Sequence, residues 1–579
     1  MKALPRAHAA RVAIEAIVLF FKEEIMKKVL SLLLACLMVL SLTVGCGGGS
    51  SSSPGGGNAG GSNAGGTAAG AASDSASPAD KALHLRLAKP LQATDWAATT
   101  NTFDMQITWV QVFEGLYGMD EVNGGYYNLL AKDIQVSEDG MTYTITLQDA
   151  TFQNGDPLTA DDVVFSYNKA KEISRFNYVT SFINKVEAKD EKTVVMTLDY
   201  PYSAIAHTFW SIKIYSQREY EEVVAAGKEF GTEPHTAGTG PYYISDYDLS
   251  SGVTLKAYDG YWGGAPEIKT VEYRVISEDS AAVIAYENGE LDYFNEVPLS
   301  DWNNVEAAAG ENCSLVKGNN IRFLAINYLS PTNNNILGNE KVREAIFYAV
   351  NKEALVAAST SSYGQVAYEY MPSEYVATSP SVKDGKFKTY DYDPQKAHQC
   401  LLDAGFTEDE IAAGIDVGTI LTYGEATADK GKATVVIQAN LADAGMKAEV
   451  EVAEAANVTP RMYAQDYDIA IFADSGNYDY NNIRQQVHSE SVGMYLVRYK
   501  DEKSPFDWQK LEELVDAGVA TSDTKERYDI YTDLWSLVMD TVTILPLYHM
   551  PVGIAWSSNI TVDNVNPTYY HITDFHWAQ

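Results

Sequence analysis

From Lys81 onward, short segments of two hydrophobic periods follow one another, a pattern that predicts a mixed α/β fold. In IQVSEDGMTYTITL, apolar and polar positions alternate on both sides of Asp139-Gly140, and an Asp-Gly pair suits the positive φ angles of a tight hairpin turn. A second pair of strands flanks Asp190 in VEAKDEKTVVMTL. In PLTADDVVFSY the period lengthens: Thr159 and Asp162 have the spacing of a capping box with Asp in place of Glu, and Val163, Val164 and Tyr167 fall on one side of the helix that follows. Val342, Ala345, Ile346, Ala349 and Val350 in NEKVREAIFYAVNKEALV recur at the spacing of an amphipathic helix. YDPQKAHQCLLDAGF reads as a helix capped by Asp393, with Pro394 in its first turn and Gly405 ending it; Cys400 falls on its apolar face with Ala397, Leu401 and Ala404. No internal repeat emerges.

The N-terminal pattern differs. Met26-Lys27-Lys28 precedes the apolar run VLSLLLACLMVLSLTVG and then Cys46, in the order of an export signal: a basic region, a short hydrophobic core and small residues at a cleavage point. The run from Val29 to Val44 is shorter than the ~20 residues that span a bilayer comfortably and ends without a basic stop, which favours cleavage over a permanent anchor. The apolar stretch VAIEAIVLFF at residues 12 to 21 keeps a retained helix as the alternative, and Met26 is the expected start. Residues 1–45 are thus read as signal. The Gly-, Ser- and Ala-rich stretch from Cys46 to residue 80 lacks aromatic residues and apolar bulk, so it reads as a flexible tether whose ends lie roughly 30 Å apart on average.

At 579 residues the chain predicts two or three lobes with a cleft available between them. Its formal net charge of -36 opposes binding to nucleic acid or to an anionic lipid face. Of four cysteines, Cys36 and Cys46 lie in or beside the apolar signal, so no disulfide framework is expected, and Cys313 and Cys400 read as isolated buried thiols. The 38 tyrosines supply amphipathic surface suited to a wet binding cleft.

Five ordered blocks carry a resemblance: LAKDIQVSEDGMTYTITLQDATFQNGDPLTADDVVFSY, GTGPYYISDYDLSSGVTLKAYDGYWGGAPEIKTVEYRVI, VREAIFYAVNKEAL, YDPQKAHQCLLDAGF and ILPLYH. In this order they resemble the extracellular solute-binding proteins of family 5, which include oligopeptide-, dipeptide- and nickel-binding proteins. The resemblance implies an α/β, two-lobed periplasmic-binding-protein-like fold of the large type II kind, with a third small domain inserted in the first lobe. The expected boundaries are 81–118, 205–319 and 541–579 for lobe I, 119–204 for the insertion and 320–540 for lobe II. LTVGC is similar to a bacterial lipobox, with Thr43 where the pattern usually has Leu, and implies lipidation of Cys46. The implied function is capture of an extracellular solute by hinge closure, an oligopeptide or dipeptide first and a sugar or metal chelate as the alternative. Delivery would be to the permease subunits of an ABC importer. The protein is expected to be a monomer held by its lipid anchor on the outer face of the cell membrane or in the periplasm, with no enzymatic activity, cofactor or resident metal.

The resemblance also suggests ligand-facing residues. Relatives place an aspartate for the peptide amino terminus in the loop after a lobe II strand, here YDIAIFADSGNYDYNN; ungapped alignment puts Asn477 at that aspartate, with Asp474, Tyr478 and Asp479 beside it. An amide pairs with an ammonium less well than a carboxylate does, so Asp474 or Asp479 would have to substitute, unless all are solvated turn residues. TNTFDMQITWVQVFEGLYG resembles the segment entering the cleft and contributes Asn101, Phe103, Asp104 and Trp109, the last fitting a helix core equally well. Arg322 and Asn327 occupy the return strand into lobe II, while Tyr242 and Tyr243 read as structural. A tethered hydrolase is the chief competing class, but neither G-x-S-x-G nor H-E-x-x-H occurs. Gly238-Thr239-Gly240 lacks the setting of a dinucleotide loop and reads as a turn, and His571, Asp574 and His576 have poor spacing for a metal.

Overall fold

In a computed structural model of the chain, residues 81–579 are described except 100, 249–250, 374–375, 476–477 and 492–496. The signal, Cys46, the tether and Asn477 lie outside the described residues. The longest sheet has ten strands in its path: β1 (Ala82–Leu87), β2 (Tyr242–Asp248), β3 (Gly252–Ala257), β4 (Thr270–Val275), β5 (Tyr293–Val297), β6 (Cys313–Ile326), β7 (Ile415–Tyr423), β8 (Met446–Ala453), β9 (Ile469–Ser475) and β10 (Ile544–Trp556). Their spatial order is β8-β7-β9-β6-β10-β5-β1-β4-β3-β2. β1 runs parallel to β4 and β5, and β7 parallel to β8 and β9, whereas β6 and β10 pair antiparallel from Cys313 opposite Ala555 to Ala325 opposite Ile544. Near its middle this long ladder slips between Lys317 and Asn320, opposite Pro551 and Met550. A proline cannot donate to the ladder, and an irregularity there increases local twist.

A four-stranded antiparallel sheet spans Ala131–Val136, Thr142–Leu147, Thr193–Leu198 and Ile183–Asp190. The Asp139-Gly140 hairpin forms as the alternation predicts: Gly140 has φ 69°, and Asp139 Oδ1 accepts from Met141 N at 3.0 Å. The helix Ala160–Lys171 packs beside this sheet, and Asp162 Oδ2 accepts from Thr159 N at 2.9 Å and from Thr159 Oγ1 at 2.6 Å. The apolar core falls largely into two clusters, one around Leu83, Leu85 and Trp96, the other around Phe323, Ile346 and Trp535, and Tyr478 packs against both.

One helix expectation needs correction. The stretch holding Val342 to Val350 is two helices, Glu340–Ala349 and Lys352–Ser359. Val350 is extended, with ψ 114°, and Asn351 starts the second helix by accepting from Ala354 N at 2.9 Å while its own N–H donates to Asn440 Oδ1 at 3.1 Å. A local cap and a tertiary bond together outweigh the continuous apolar period. Helix Pro394–Asp403 begins at its Asp393 cap, which accepts from Lys396 N at 2.8 Å, and Cys400 and Cys313 are unpaired thiols. Gly238 and Gly240 lie so close to the chain at Gln111 and Val112 that a Cβ on either would fall 2.0 to 2.4 Å from a carbonyl oxygen. They are a turn, held by close backbone approach.

Candidate functional site

A cavity of about 610 Å³ lies between two parts of the chain distant in sequence. One wall is built from residues 175–208, where the short helix Asn177–Thr180 and the helix Ile205–Ser211 bring Tyr178, Tyr202 and His207 together. The other wall is Tyr463 and residues 479–491. His207 is locked between two hydroxyls, Tyr126 Oη at 3.0 Å and Ser211 Oγ at 3.1 Å, and burial, aided by Lys213, lowers its pKa to about 3. It is therefore a neutral, oriented ring. The walls bond each other directly: Asn481 Nδ2 donates to Tyr202 Oη at 2.9 Å, Ser203 N to Val519 O at 2.8 Å, and Tyr478 Oη to Glu121 O at 3.4 Å.

Asp479 borders this cavity and does three things at once. It caps the turn Tyr480–Ile483 by accepting from Asn481 N at 2.8 Å, it takes Arg527 Nη2 at 2.6 Å, and it faces solvent little. Its negative charge is matched by a guanidinium whose pKa is raised: burial alone would lower it, and the Asp479 carboxylate more than offsets that. Asp474 at the end of β9 is drawn inward, receiving the Tyr370 hydroxyl and Asn482 Nδ2, the latter at 3.0 Å. Arg322 pairs with Asp429 Oδ2 at 2.5 Å, both largely buried, and stands one ladder position from Asp474, whose partner on β6 is Ile321. A buried pair of this kind orients its neighbours; its net stabilisation is small because desolvation opposes the attraction. Asn327 is spent on the backbone, donating to Gln465 O and Tyr467 O, each at 3.0 Å.

The N-terminal candidates separate. Asn101 caps helix Thr102–Ile107 by accepting from Asp104 N at 3.0 Å. Asp104 is fully buried, and burial raises its carboxyl to about 6 against the opposing bonds from Gln92 N and Asn101. Trp109 lies in a π-helical turn, Thr108–Val112, and is core: its Nε1 donates to Trp96 O at 2.8 Å, and its ring meets Trp210 edge-on at 5.2 Å. Phe103 lines a small recess with Glu296, an exposed residue at φ 58° whose carboxyl is raised by the protein around it. His576 is held by Glu267 at 2.7 Å and Asp563 at 3.3 Å.

A family model described as bacterial extracellular solute-binding proteins, family 5 Middle, matches residues 125–488. The chain belongs to this family. The glutathione-binding protein GsiB of Salmonella paratyphi A is 29% identical over 356 residues, which cover 59% of this chain; the match spans 64% of the relative's length. Among solved structures, the ABC transporter substrate-binding protein CtaP from Listeria monocytogenes superposes with a TM-score of 0.73 at 22% identity, covering 86% of this chain and 99% of that one. The oligopeptide-binding protein AppA from Bacillus subtilis, solved with a nonapeptide, gives 0.71 at 21% identity, with the same coverage. The family 5 fold, mixed α/β and two-lobed with an inserted domain, is the one expected from the sequence.

Of the ten predicted residues, this family 5 protein brings Asp479 to the cavity and Tyr478 to the junction beside it, while Arg322 and Asp474, at adjacent ladder positions, bond other partners, Asp429 for the first and Tyr370 and Asn482 for the second. Tyr178, Tyr202, His207, Asn481 and Arg484 also line the cavity and were not singled out. Their signal was faint. Asn481 and Arg484 follow directly on the predicted loop, and the tyrosines stood out only as a high count.

Proposed function

We propose that the protein captures a peptide, an oligopeptide or dipeptide, outside the cell, closes its lobes over it and delivers it to the permease of an ABC importer. The observation that carries this is the 610 Å³ cavity between two parts of the chain far apart in sequence, whose size lies within the roughly 300–1,000 Å³ of small-molecule sites. Tyrosine hydroxyls, side-chain amides and the Arg484 guanidinium give its lining both donors and acceptors, which suits a chain of peptide groups. Contacts made by both walls exist only when the lobes are together, so a ligand that uses both shifts the population toward closure. Asp479 and Tyr478 remain proposed ligand neighbours. Arg527 holds Asp479 at 2.6 Å, whereas Arg484 stands 3.5 Å from the more exposed Glu490 on the same wall, so Glu490 is the proposed partner of a peptide ammonium, which it would share with Arg484. Lipidation at Cys46 and the tether beyond it would hold the binding body near the permease.

Native mass spectrometry of the protein, purified without denaturation and compared with the same protein unfolded and refolded, tests this. A peptide adduct lost on unfolding is the expected result. An adduct with the mass of a sugar or chelate replaces the cargo and keeps the capture role; no adduct, and no compaction with peptides, sugars or metal chelates, overturns capture. The full chain recovered from membranes should begin at a diacylated Cys46, and an unprocessed N-terminus would overturn the anchor.

A further inference from the structure

A second cavity, of about 320 Å³, is lined by residues from 109–129, 210–261 and 564–574 and shares no lining residue with the first. Lys213 borders it and is only 2% exposed. Its Nζ lies 4.7 Å from the centroid of the Trp210 ring and 5.3 Å from that of Trp109. Among the described residues no hydrogen bond or ion pair engages this ammonium, and the two aromatic faces lie within cation–π range of it. Glu114 is near enough to feel its charge, but that carboxyl is occupied by Tyr261 Oη at 2.7 Å and Trp262 Nε1 at 2.9 Å. Burial lowers the amine to about 7 against the Glu114 field, as befits a cation without a close counter-ion.

Carboxylates line the same cavity. Asp574, which accepts from Asn564 Nδ2 at 3.1 Å, and Asp120, which accepts from Asn123 Nδ2 at 2.9 Å, are both half-buried. A simple anion in this cavity meets their repulsion as well as the pull of Lys213, whereas a molecule carrying both charges is attracted at each end. We infer that this cavity is a second binding site for a small zwitterion of amino-acid size, its carboxylate on Lys213 Nζ, its ammonium at Asp574 and its side chain against Trp210.

Saturation-transfer NMR on the full-chain protein tests this with L-leucine, L-phenylalanine and L-glutamine, and with two leucine analogues: the methyl ester, which lacks the carboxylate, and 4-methylpentanoate, which lacks the ammonium. At least one amino acid should bind saturably below about 10 mM. The analogues, and Lys213→Met with a native circular dichroism spectrum, should bind about tenfold more weakly or not at all. Asp574→Asn, a change at a half-buried position, serves if Lys213→Met does not fold, and should weaken the amino acid while sparing 4-methylpentanoate. Equal binding by wild type and Lys213→Met, binding of 4-methylpentanoate as tight as leucine, or no saturable amino-acid binding each overturns the inference.

Discussion

Asp104 carries a proton problem that a stability titration can read. Its folded carboxyl is raised from the usual 3.8 to about 6 by burial, so between those values the folded state holds a proton that the unfolded state has released. Stability from this group therefore rises as pH falls from 6 to 4 and is lost above 6, where the buried charge costs up to about 3 kcal/mol. Asp104→Asn keeps an acceptor for Gln92 N without the charge. In urea melts the variant should gain on wild type progressively from pH 4 to pH 6 and hold a constant lead above that; a parallel offset at all pH values would show that the charge is not the cause. At this scale the sequence supplied residue types but not their direction. Asn327 looked like a ligand-facing amide on a return strand, yet the two carbonyls that take its hydrogens come from residues 465 and 467, a pairing no local pattern encodes.

Elements were legible wherever their signal was local. The Asp139-Gly140 hairpin, the Thr159–Asp162 cap and the Asp393-Pro394 helix start each depend on residues within four positions of one another, and each is present. The break at Val350 was missed because the apolar stripe runs on through it while the bond that fixes it comes from Asn440. Asn351→Ala removes the cap oxygen but not the backbone bond to Asn440, so it should lower unfolding free energy by ~1 kcal/mol in urea titrations. Ligand affinity should be unchanged, since this helix start does not line the cavity. A loss well below that value would mean that the Asn440 contact alone sets the boundary.

Across the whole molecule, the two-lobed plan was readable because five sequence blocks are spread over most of the body, but the cavity was not, since its walls are separated by more than two hundred residues of chain. Tyr202→Phe deletes the hydroxyl that receives Asn481 between the two cavity walls. One such bond contributes about 0.5–1.5 kcal/mol, so the ligand identified by mass spectrometry should bind roughly two- to tenfold more weakly in calorimetry, chiefly through faster dissociation. Unchanged affinity would show that this contact is absent from the ligand-holding state.

The position of β10 sets a timetable. It lies between β6 and β5, so without it the long sheet is two separate pieces, β8-β7-β9-β6 and β5-β1-β4-β3-β2. Ribosomes make this strand, Ile544–Trp556, after the other nine. Long-range pairing of this kind is slow even when every strand is present. Each half of the sheet therefore keeps one unpaired inner edge, on β6 and on β5, until the last of the ten strands has been made.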